Sequence, residues 1–329
     1  MEIIKAGIVG YGNLGKGTCA AIKNSKDIEL QAIFTRRSPG SLAVSNENIK
    51  VESVDNAKNY KKKIDVMILC GGSATDLPVQ GPKFARMFNT VDSYDNHQEI
   101  PEYYAQMDAV ASENKNTALI SIGWDPGLFS LNRLLGETVL PAGKGYTFWG
   151  PGVSQGHSDA LRRIEGVKDA VQYTIPREKA ISKVREGLHP DFNNGDRHLR
   201  ECHVVLEEGA DKVKIAQEIK QMPNYFADYD TEVNFVTQDE LDEKHSGIPH
   251  GGFVLRSART GDDSEHNQIV EFSLKLESNP EFTAQVLTAY ARAVCRLHSR
   301  GHYGARTIFD VAPADLSPKK NAQLRKELL

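Results

Sequence analysis

The sequence predicts an α/β fold, with a doubly wound parallel sheet in the first part of the chain and an α+β domain with a mixed sheet after it. Two patterns support this interpretation. Before residue 127, apolar runs of strand length alternate with helical spacings of small and apolar residues, which indicates βαβ units and a parallel sheet. After it, the apolar runs are more widely spaced and partly alternate with polar residues, which favours a mixed or antiparallel sheet. A chain of 329 residues is long enough for two such domains.

The order of these patterns predicts the domain boundaries. The first domain should span 1–123, with strands in IIKAGIVG, IELQAIFT, KIDVMILCGG, NTVDSYD and TALISIG. The second should span 124–299, with strands in YTFWG, AVQYTIP, ECHVVLEE, EVNFVTQ, FVLRSAR and IVEFSLKLE. It ends in a long helical pattern, PEFTAQVLTAYARAVCRLHSRG. We expect the last segment, about 300–329, to pack back onto the first domain.

Composition and charge exclude several classes of protein. Hydrophobic residues make up 40% and charged residues 26%, which is an ordinary globular mixture. The net charge of -4, without a basic stripe, does not favour nucleic acid. No apolar run is long enough to span a membrane, and a strand pattern begins almost at once, so we expect no signal peptide. Four widely spaced cysteines indicate a reduced, cytoplasmic chain, and neither histidines nor cysteines have the spacing of a metal site.

A glycine motif follows the first predicted strand. Gly10, Gly12 and Gly15 form G-x-G-x-x-G between a strand and a helix. The first glycine permits a tight turn, the second lets the backbone approach a pyrophosphate, and the third lets the helix pack close to the strand. The helix N-terminus offers N–H groups to the phosphates. This context predicts a Rossmann-type dinucleotide-binding domain. The loop residues expected along the cofactor are Gly10, Tyr11, Gly12, Asn13, Leu14 and Gly15.

The end of the second strand indicates which dinucleotide binds. An acidic residue there would accept a hydrogen bond from a ribose 2′-hydroxyl. This chain has Thr35, Arg36 and Arg37 instead. Two guanidinium groups would pair with a 2′-phosphate, which favours NADP over NAD. The alternative interpretation is a solvated basic loop.

Further cofactor contacts are expected at other strand ends, because ligands of open α/β sheets bind beyond the carboxyl ends of the strands. Two carboxylates, Asp95 and Asp125, follow such ends and should converge where a nicotinamide would lie. Each alone also fits a helix N-cap or an Asx-turn, but together they favour a site for a cation, such as the ammonium group of a hydride donor. The other strand-end residues assigned to the cofactor are Cys70, Gly71, Gly72, Ser73, Asp92, Tyr94, Trp124, Asp125, Pro126 and Gly127.

The second domain contains a loop of glycines and polar residues beside Trp149, in TFWGPGVSQGHSDALRR. His250 lies between a proline and two glycines, which indicates a loop position, although a lone histidine is more often structural. Arg200 and Thr174 lie on or beside predicted strands. An inward arginine would bind a carboxylate through two hydrogen bonds, whereas a surface arginine is the commoner case.

These residues belong to a longer series of segments that resembles the NADP-dependent diaminopimelate dehydrogenase family from end to end. The segments are GIVGYGNLG, RR after the second strand, GSATD, TVDSYDNH, GWDPG, FWGPGVSQGHSDALRRI, YTIP, MPNYF, PHGG and NPEFTA. The resemblance implies reversible oxidative deamination of meso-2,6-diaminopimelate. The D-configured α-carbon gives its hydride to NADP, and water releases ammonia and L-2-amino-6-oxopimelate from the imine. It also implies a homodimer built through the second domain.

The resemblance further implies roles for single residues. Asp95 and Asp125 would hold the reacting D-centre, and Trp149 would form part of the pocket wall. The residues implied at or near the distal L-centre are Gln155, Asp159, Thr174, Arg200 and His250, and Asn279 matches a further substrate contact.

Two questions stay open at this point. The proton acceptor is Asp95, Asp125, a water held by them, or His157. The competing functions are another NADP-dependent reductase of the lysine-pathway type and a non-catalytic NADP sensor. Such a reductase needs no paired aspartates beside the nicotinamide. The sensor leaves the arginine, histidine and asparagine of the second domain unexplained.

Overall fold

The computed structural model describes residues 3–44 and 49–329, which form two compact units. The first unit contains 1–131 and 280–329, and the second contains 132–279. The last segment, 300–329, therefore lies in the first unit. The observed division differs from the expected boundaries in that 124–131 and 280–299 also lie in the first unit.

The strands and helices are numbered in chain order. The strands are β1 (Ile4–Val9), β2 (Ile28–Thr35), β3 (Lys50–Ser53), β4 (Val66–Leu69), β5 (Asn89–Asp92), β6 (Thr117–Leu119), β7 (Lys144–Trp149), β8 (Gly152–Val153), β9 (Val167–Pro176), β10 (His198–Leu206), β11 (Asp230–Phe235), β12 (His250–Thr260), β13 (His266–Leu276) and β14 (Gly304–Arg306). The helices are α1 (Asn13–Lys23), α2 (Leu77–Ala85), α3 (Ile100–Glu113), α4 (Leu128–Val139), α5 (Gln155–Arg162), α6 (Glu178–Arg185), α7 (Asn194–Arg197), α8 (Lys212–Gln221), α9 (Gln238–Lys244), α10 (Asn279–Ser299) and α11 (Asn321–Leu328). Short 3₁₀ segments lie at Pro39–Ser41, Val54–Tyr60, Ile308–Asp310 and Pro313–Leu316.

The first unit is built on a seven-stranded parallel sheet with the order β14-β6-β5-β4-β1-β2-β3. The strand order reverses between β1 and β4, which is the switch point of a Rossmann-type sheet. Alternate residues of each strand face opposite sides. Ile8 and Ile68 pack in a core with α1 and α10, whereas Val9 and Met67 pack in a second core with α2 and α3. The prediction of a doubly wound parallel sheet is confirmed.

Helix α10 belongs to the first unit because its contacts are there. Arg292 forms two hydrogen bonds to the carboxylate of Asp27, of 2.6 and 2.7 Å, and both side chains are buried. Where α10 crosses α1, a Cβ added at Gly17 would lie only 3.1 Å from the Cβ of Ala284, so the two helices approach closely. The helical pattern of this segment in the sequence did not indicate which sheet α10 would pack against.

The second unit contains two sheets, which confirms the prediction of a mixed sheet. In the four-stranded sheet, β11-β10-β9-β8, the β10–β11 pair is parallel and the other pairs are antiparallel. The three-stranded sheet, β13-β12-β7, is antiparallel. Helices α5 and α8 pack on the first sheet and α6 packs on the second. None of the described helices is both long and apolar enough to cross a membrane.

Candidate active site

The glycine loop has the geometry that each of its three positions requires. Gly10 has a φ of +93°, a backbone conformation that other residues rarely adopt. A Cβ at Gly15 would lie 2.2 Å from the carbonyl oxygen of Gly10, so only glycine lets α1 pack there. A Cβ at Gly12 would meet nothing within 4 Å. The backbone at Gly12 is therefore open to a ligand at the N-terminus of α1, and the loop fits a pyrophosphate.

The two arginines after β2 are held by different partners. The Nη2 atom of Arg37 donates to the carbonyl oxygen of Tyr11 over 2.8 Å, which links it to the glycine loop. The Nη2 atom of Arg36 lies 2.7 Å from a carboxylate oxygen of Asp76, and the arginine side chain is 65% exposed. Both guanidinium groups thus have a partner within the first unit, and each keeps N–H groups for a further acceptor.

Asp76 is a residue that sequence reasoning did not assign to the site. Its Oδ2 atom accepts a hydrogen bond of 3.1 Å from the N–H of Gly72, instead of capping α2. The same carboxylate pairs with Arg36. Asp76 is part of the segment GSATD, but no local pattern in the sequence gives this aspartate a partner at the end of β2. In the same segment, Ser73 Oγ accepts from the N–H of Asp95 over 3.1 Å.

Three of the expected cofactor residues are less accessible than the sequence suggested. Asp92 is completely buried, and its carboxylate accepts hydrogen bonds from protein donors. Tyr94 is also buried, with its hydroxyl 3.3 Å from a carboxylate oxygen of Glu99. These two side chains support the strand-end loop and do not form a surface for a ligand. Burial raises the pKa of Cys70 to about 12, so its side chain is a neutral thiol beside the hydroxyl of Thr18.

The segment GWDPG forms a tight loop at the end of β6. The N–H of Leu128 donates to the carbonyl oxygen of Gly123, and that of Phe129 donates to the carbonyl oxygen of Trp124. Gly127 has a φ of +131°, and a Cβ there would lie 1.9 Å from the oxygen of Gly123. The Trp124 indole is only 7% exposed and packs edge-on against Phe129. The indole therefore anchors the loop, and half-buried Asp125 lies next to that anchor.

In the second unit, four of the predicted substrate residues come together. Gly152 on β8 pairs with Thr174 on β9, which in turn pairs with Arg200 on β10. A Cβ at Gly152 would lie 2.5 Å from the Cα of His250, so the loop after β7 packs directly on the start of β12. Trp149, at the end of β7, is placed opposite Gly252 in the same sheet.

Arg200 is the charged centre of this group. It is 8% exposed, and its Nη1 atom donates to the hydroxyl of Thr174. Its guanidinium carbon lies 4.0 Å from the centre of the Tyr229 ring. Burial lowers the pKa of Arg200 from its ordinary value, but an arginine remains charged. Its buried Nε atom has no hydrogen-bond partner among residues 3–44 and 49–329. This guanidinium can therefore donate a hydrogen bond to an anionic oxygen of a ligand.

Two histidines near Arg200 are neutral. Burial, and next the charge of Arg200, lower the pKa of His157 to about 4 and that of His198 to about 3. His157 lies 2.7 Å from the hydroxyl of Ser154, and His198 accepts from the N–H of Trp149. His198 was not predicted, because nothing in the local sequence links it to a partner 49 residues away.

Gln155, Asp159 and Asn279 are the remaining predicted substrate residues. Gln155 is exposed and lines a cavity of about 220 Å³. Asp159, on the exposed side of α5, forms an ion pair with Arg162. The N–H of Asn279 donates to the carbonyl oxygen of Ile248 over 2.9 Å, which brings it near the start of β12. In the described residues, no three His, Cys, Asp or Glu side chains are placed to hold a metal ion.

Two family models match the chain. The model described as "Diaminopimelic acid dehydrogenase C-terminal domain" matches 123–278. The model described as "Oxidoreductase family, NAD-binding Rossmann fold" matches 4–89. The two matches fall on the parts of the chain that contain the second-unit cluster and the glycine loop.

Curated relatives match over nearly the full length. The meso-diaminopimelate D-dehydrogenase of Acetivibrio thermocellus is 60% identical, with 100% of this chain and 98% of that protein covered. The enzyme of Corynebacterium glutamicum is 46% identical, with 97% of each covered.

Solved structures also match over nearly the full length. A variant of the Clostridium tetani meso-DAP dehydrogenase with six substitutions, solved with DAP, has a TM-score of 0.93 at 54% identity. The match covers 99% of this chain and 100% of that one. The C. glutamicum DAP dehydrogenase in complex with DAP has a TM-score of 0.91 at 44% identity, with both chains fully covered. An engineered D-amino acid dehydrogenase bound to NADP+ has a TM-score of 0.85 at 43% identity, covering 99% and 100%. Together with the glycine loop and the buried arginine, these matches show that the chain belongs to the meso-diaminopimelate D-dehydrogenase family of oxidoreductases.

Proposed function

We propose that this protein catalyses the NADP-dependent, reversible oxidative deamination of the D-centre of meso-2,6-diaminopimelate. The products are L-2-amino-6-oxopimelate, ammonia, NADPH and a proton, with one water consumed. The cofactor supplies the hydride acceptor. The residues of the chain bind the two ends of the substrate, orient the reacting carbon and remove the proton of its ammonium group.

Asp95 and Asp125 are proposed to hold the reacting ammonium group. Both follow strand ends of the parallel sheet, and both loops are fixed by the protein. Ser73 accepts from the N–H of Asp95, and buried Trp124 anchors the loop of Asp125. Two carboxylates beside one amine favour its charged form on binding. One of them, or a water they hold, then takes the proton so that the nitrogen lone pair can expel the hydride.

The observation that carries the proposal is the buried guanidinium of Arg200. A carboxylate is the natural partner for a buried arginine that retains an unpaired donor. Thr174 bonds the same guanidinium, and His250 lies near Thr174 through the packing of Gly152. We propose that this cluster holds the distal L-centre, so that only an isomer with both centres correctly placed is turned over.

One solved relative supports the same residues. The C. tetani variant has substitutions at a glutamine, a threonine, an arginine, a proline, a histidine and an asparagine, in that chain order. This chain carries the same residue types in the same order, at Gln155, Thr174, Arg200, Pro249, His250 and Asn279.

The preference for NADP over NAD is proposed from the end of β2. Arg36 and Arg37 follow β2 and both retain donors. The sequence there, Thr35-Arg36-Arg37, has no acidic residue to bind a ribose 2′-hydroxyl as in NAD enzymes. The similar engineered D-amino acid dehydrogenase was solved with NADP+ bound, which agrees with this preference.

The direct test is NADP reduction, followed at 340 nm, with meso-, LL- and DD-diaminopimelate offered separately at alkaline pH. We expect turnover with the meso isomer alone. Turnover with every isomer would show that the enzyme does not distinguish the configurations of the two stereocentres. Silence with all three, while NADPH still binds, would refute the proposed function and favour the sensor.

We also propose that the protein forms a homodimer through the second unit. Strand β13 is an edge strand, and Ile269 and Val270 on it are 37% and 41% exposed. Exposed apolar side chains on a long edge strand favour association. Light scattering after size-exclusion chromatography should give twice the mass of one chain. Val270→Lys should lower the measured mass. A monomeric parent protein would contradict the proposed dimer.

A further inference from the structure

Asp92 lies at the end of β5, between the loop that contains Asp95 and the loop that contains Asp125. Its side chain is completely buried, and burial raises its pKa to about 6. A buried carboxylate is costly unless donors satisfy it. Three parts of the first unit donate hydrogen bonds to the carboxylate of Asp92.

One oxygen of this carboxylate joins the two loops. Oδ1 accepts from the N–H of Tyr94 over 3.0 Å and from the N–H of Ser121 over 3.1 Å. Tyr94 immediately precedes Asp95. Ser121 lies two residues after β6 and four residues before Asp125. The carbonyl oxygen of Asp92 also accepts from the N–H of Ile122 over 2.8 Å.

The second oxygen fixes the orientation of the carboxylate. Oδ2 accepts from the hydroxyl of Tyr103 on α3 over 2.8 Å. The Tyr103 ring stacks on Tyr94, with centroids 4.2 Å apart. The carboxylate therefore cannot rotate without losing a hydrogen bond from a fixed ring.

Ser121 has a backbone conformation that needs support. Its φ is +57°, in the left-handed region that costs a non-glycine residue about 1 kcal/mol or more. The bond from its N–H to Asp92 holds the chain in that conformation at the point where it turns toward Trp124 and Asp125. Strained backbone of this kind persists only where surrounding contacts hold it.

We propose that Asp92 is a positioning residue that sets the spacing of Asp95 and Asp125 by binding both of their loops through a single oxygen. It acts through those two residues and does not touch substrate or cofactor. The inference rests on the proposed role of Asp95 and Asp125 at the D-centre. Misplacement of a reacting group by about 1 Å can cost about 100-fold in rate, so a shared acceptor at this position controls turnover.

Asn89 offers a matched control, because it also ties β5 to β6 but at the opposite end of β5. Its Oδ1 accepts from the N–H of Thr117 over 2.9 Å, and its Nδ2 donates to the carbonyl oxygen of Asp65. Asn89 is buried, so its loss should destabilise the same pair of strands. It holds neither of the two loops.

The experiment compares Asp92→Asn with Asn89→Ala in the full chain. Asp92→Asn retains shape and removes the charge that strengthens both backbone hydrogen bonds. We expect kcat with meso-diaminopimelate to fall by more than about tenfold, with the Kd for NADPH changed less than about threefold. Asn89→Ala should lower Tm and leave kcat within about threefold of the parent enzyme. An Asp92→Asn kcat within threefold of the parent, or an equal loss of kcat in Asn89→Ala, would overturn the inference.

A measurement on the unsubstituted protein decides the matter if Asp92→Asn does not fold. Because one oxygen accepts from both amides, the N–H groups of Tyr94 and Ser121 should exchange with deuterium at similar protection factors. A difference of more than about tenfold between them would show independent loops and overturn the inference. This readout does not depend on turnover. An inactive parent enzyme would count against the proposed function, whereas unequal protection would count against the role of Asp92.

Discussion

The backbone N–H of Trp149 donates a hydrogen bond of 2.9 Å to Nε2 of His198, and the two rings stack with centroids 5.5 Å apart. Trp149 ends β7 and His198 begins β10, so the contact joins the two sheets of the second unit. His198 can accept this bond because it is neutral, with its pKa lowered to about 3 chiefly by burial. The orientation of the proposed pocket wall thus depends on a residue of the strand that contains Arg200.

We expect His198→Phe to raise KM for meso-diaminopimelate by about fivefold while leaving the Kd for NADPH unchanged. The ring stack survives this change, but Trp149 loses an acceptor whose net contribution is about 1 kcal/mol. Steady-state kinetics and NADPH fluorescence titration measure the two quantities. His189→Phe is the control, because His189 is exposed and lies beside Ser257 in the same unit. Equal effects of the two substitutions would contradict a specific role for His198.

Stability should fall with acid partly because of His198, together with His157, whose pKa is also lowered by burial. Burial lowers the native-state pKa of His198 to about 3, whereas in the unfolded chain it takes up a proton below about pH 6.5. The unfolded state therefore binds more protons between pH 6.5 and 3, and stability is lost as pH falls through this window, by up to about 1.4 kcal/mol per pH unit. Urea denaturation at several pH values measures this slope. The dependence of unfolding free energy on pH should be shallower in His198→Phe. An unchanged dependence would show that His198 does not contribute to it.

The cofactor preference should depend on the two arginines after β2. Arg36→Ala combined with Arg37→Ala should raise KM for NADP by more than about 100-fold, because charge-assisted hydrogen bonds contribute about 1.5–3 kcal/mol each. KM for NAD should change little. Lys61→Ala with Lys62→Ala removes the same charge from exposed positions of the same unit and serves as the control. Equal losses for NADP and NAD would refute the assignment of the 2′-phosphate site.

Asp125→Asn should reduce kcat by at least about 100-fold, which is the usual scale for removal of an acid–base group. NADPH binding should remain nearly intact, because the substitution preserves the shape of the loop. Asp55→Asn removes an exposed carboxylate of the same unit, which pairs with Lys83, and should have no effect on kcat. Normal turnover by Asp125→Asn would remove Asp125 from the mechanism.

Arg200→Met should weaken the hold on the distal carboxylate. We expect kcat/KM for meso-diaminopimelate to fall by about 10- to 100-fold, the value of one buried charge-assisted contact. For simple D-amino acids, which lack the distal group, kcat/KM should fall less. They should therefore become better substrates relative to meso-diaminopimelate. Arg197→Met changes a residue of the preceding helix whose Nε faces the backbone of Asn193, and it should leave the substrate range as it was. Strict preference for diaminopimelate in Arg200→Met would show that Arg200 is not the anchor.

Much of the first unit was predictable because its signals are local. The alternation of strand and helix patterns predicted the parallel sheet, which the structure confirms. The spacing of Gly10 and Gly15 reflects a close contact between residues only five positions apart. Two strands of this unit were not predicted. β3 and β14 are short edge strands of four and three residues, whose identity depends on the sheet they join.

The sequence by itself determined the fold class, the glycine loop, the arginines after β2 and the position of carboxylates at strand ends, because each depends on residue type and short-range spacing. The tertiary structure alone decided which unit α10 joins, through a pair between residues 265 positions apart. It also showed that Asp92 is a buried acceptor and that His198 supports Trp149. The burial of a polar group and the identity of its partner arise only when distant segments pack, and no local pattern encodes them.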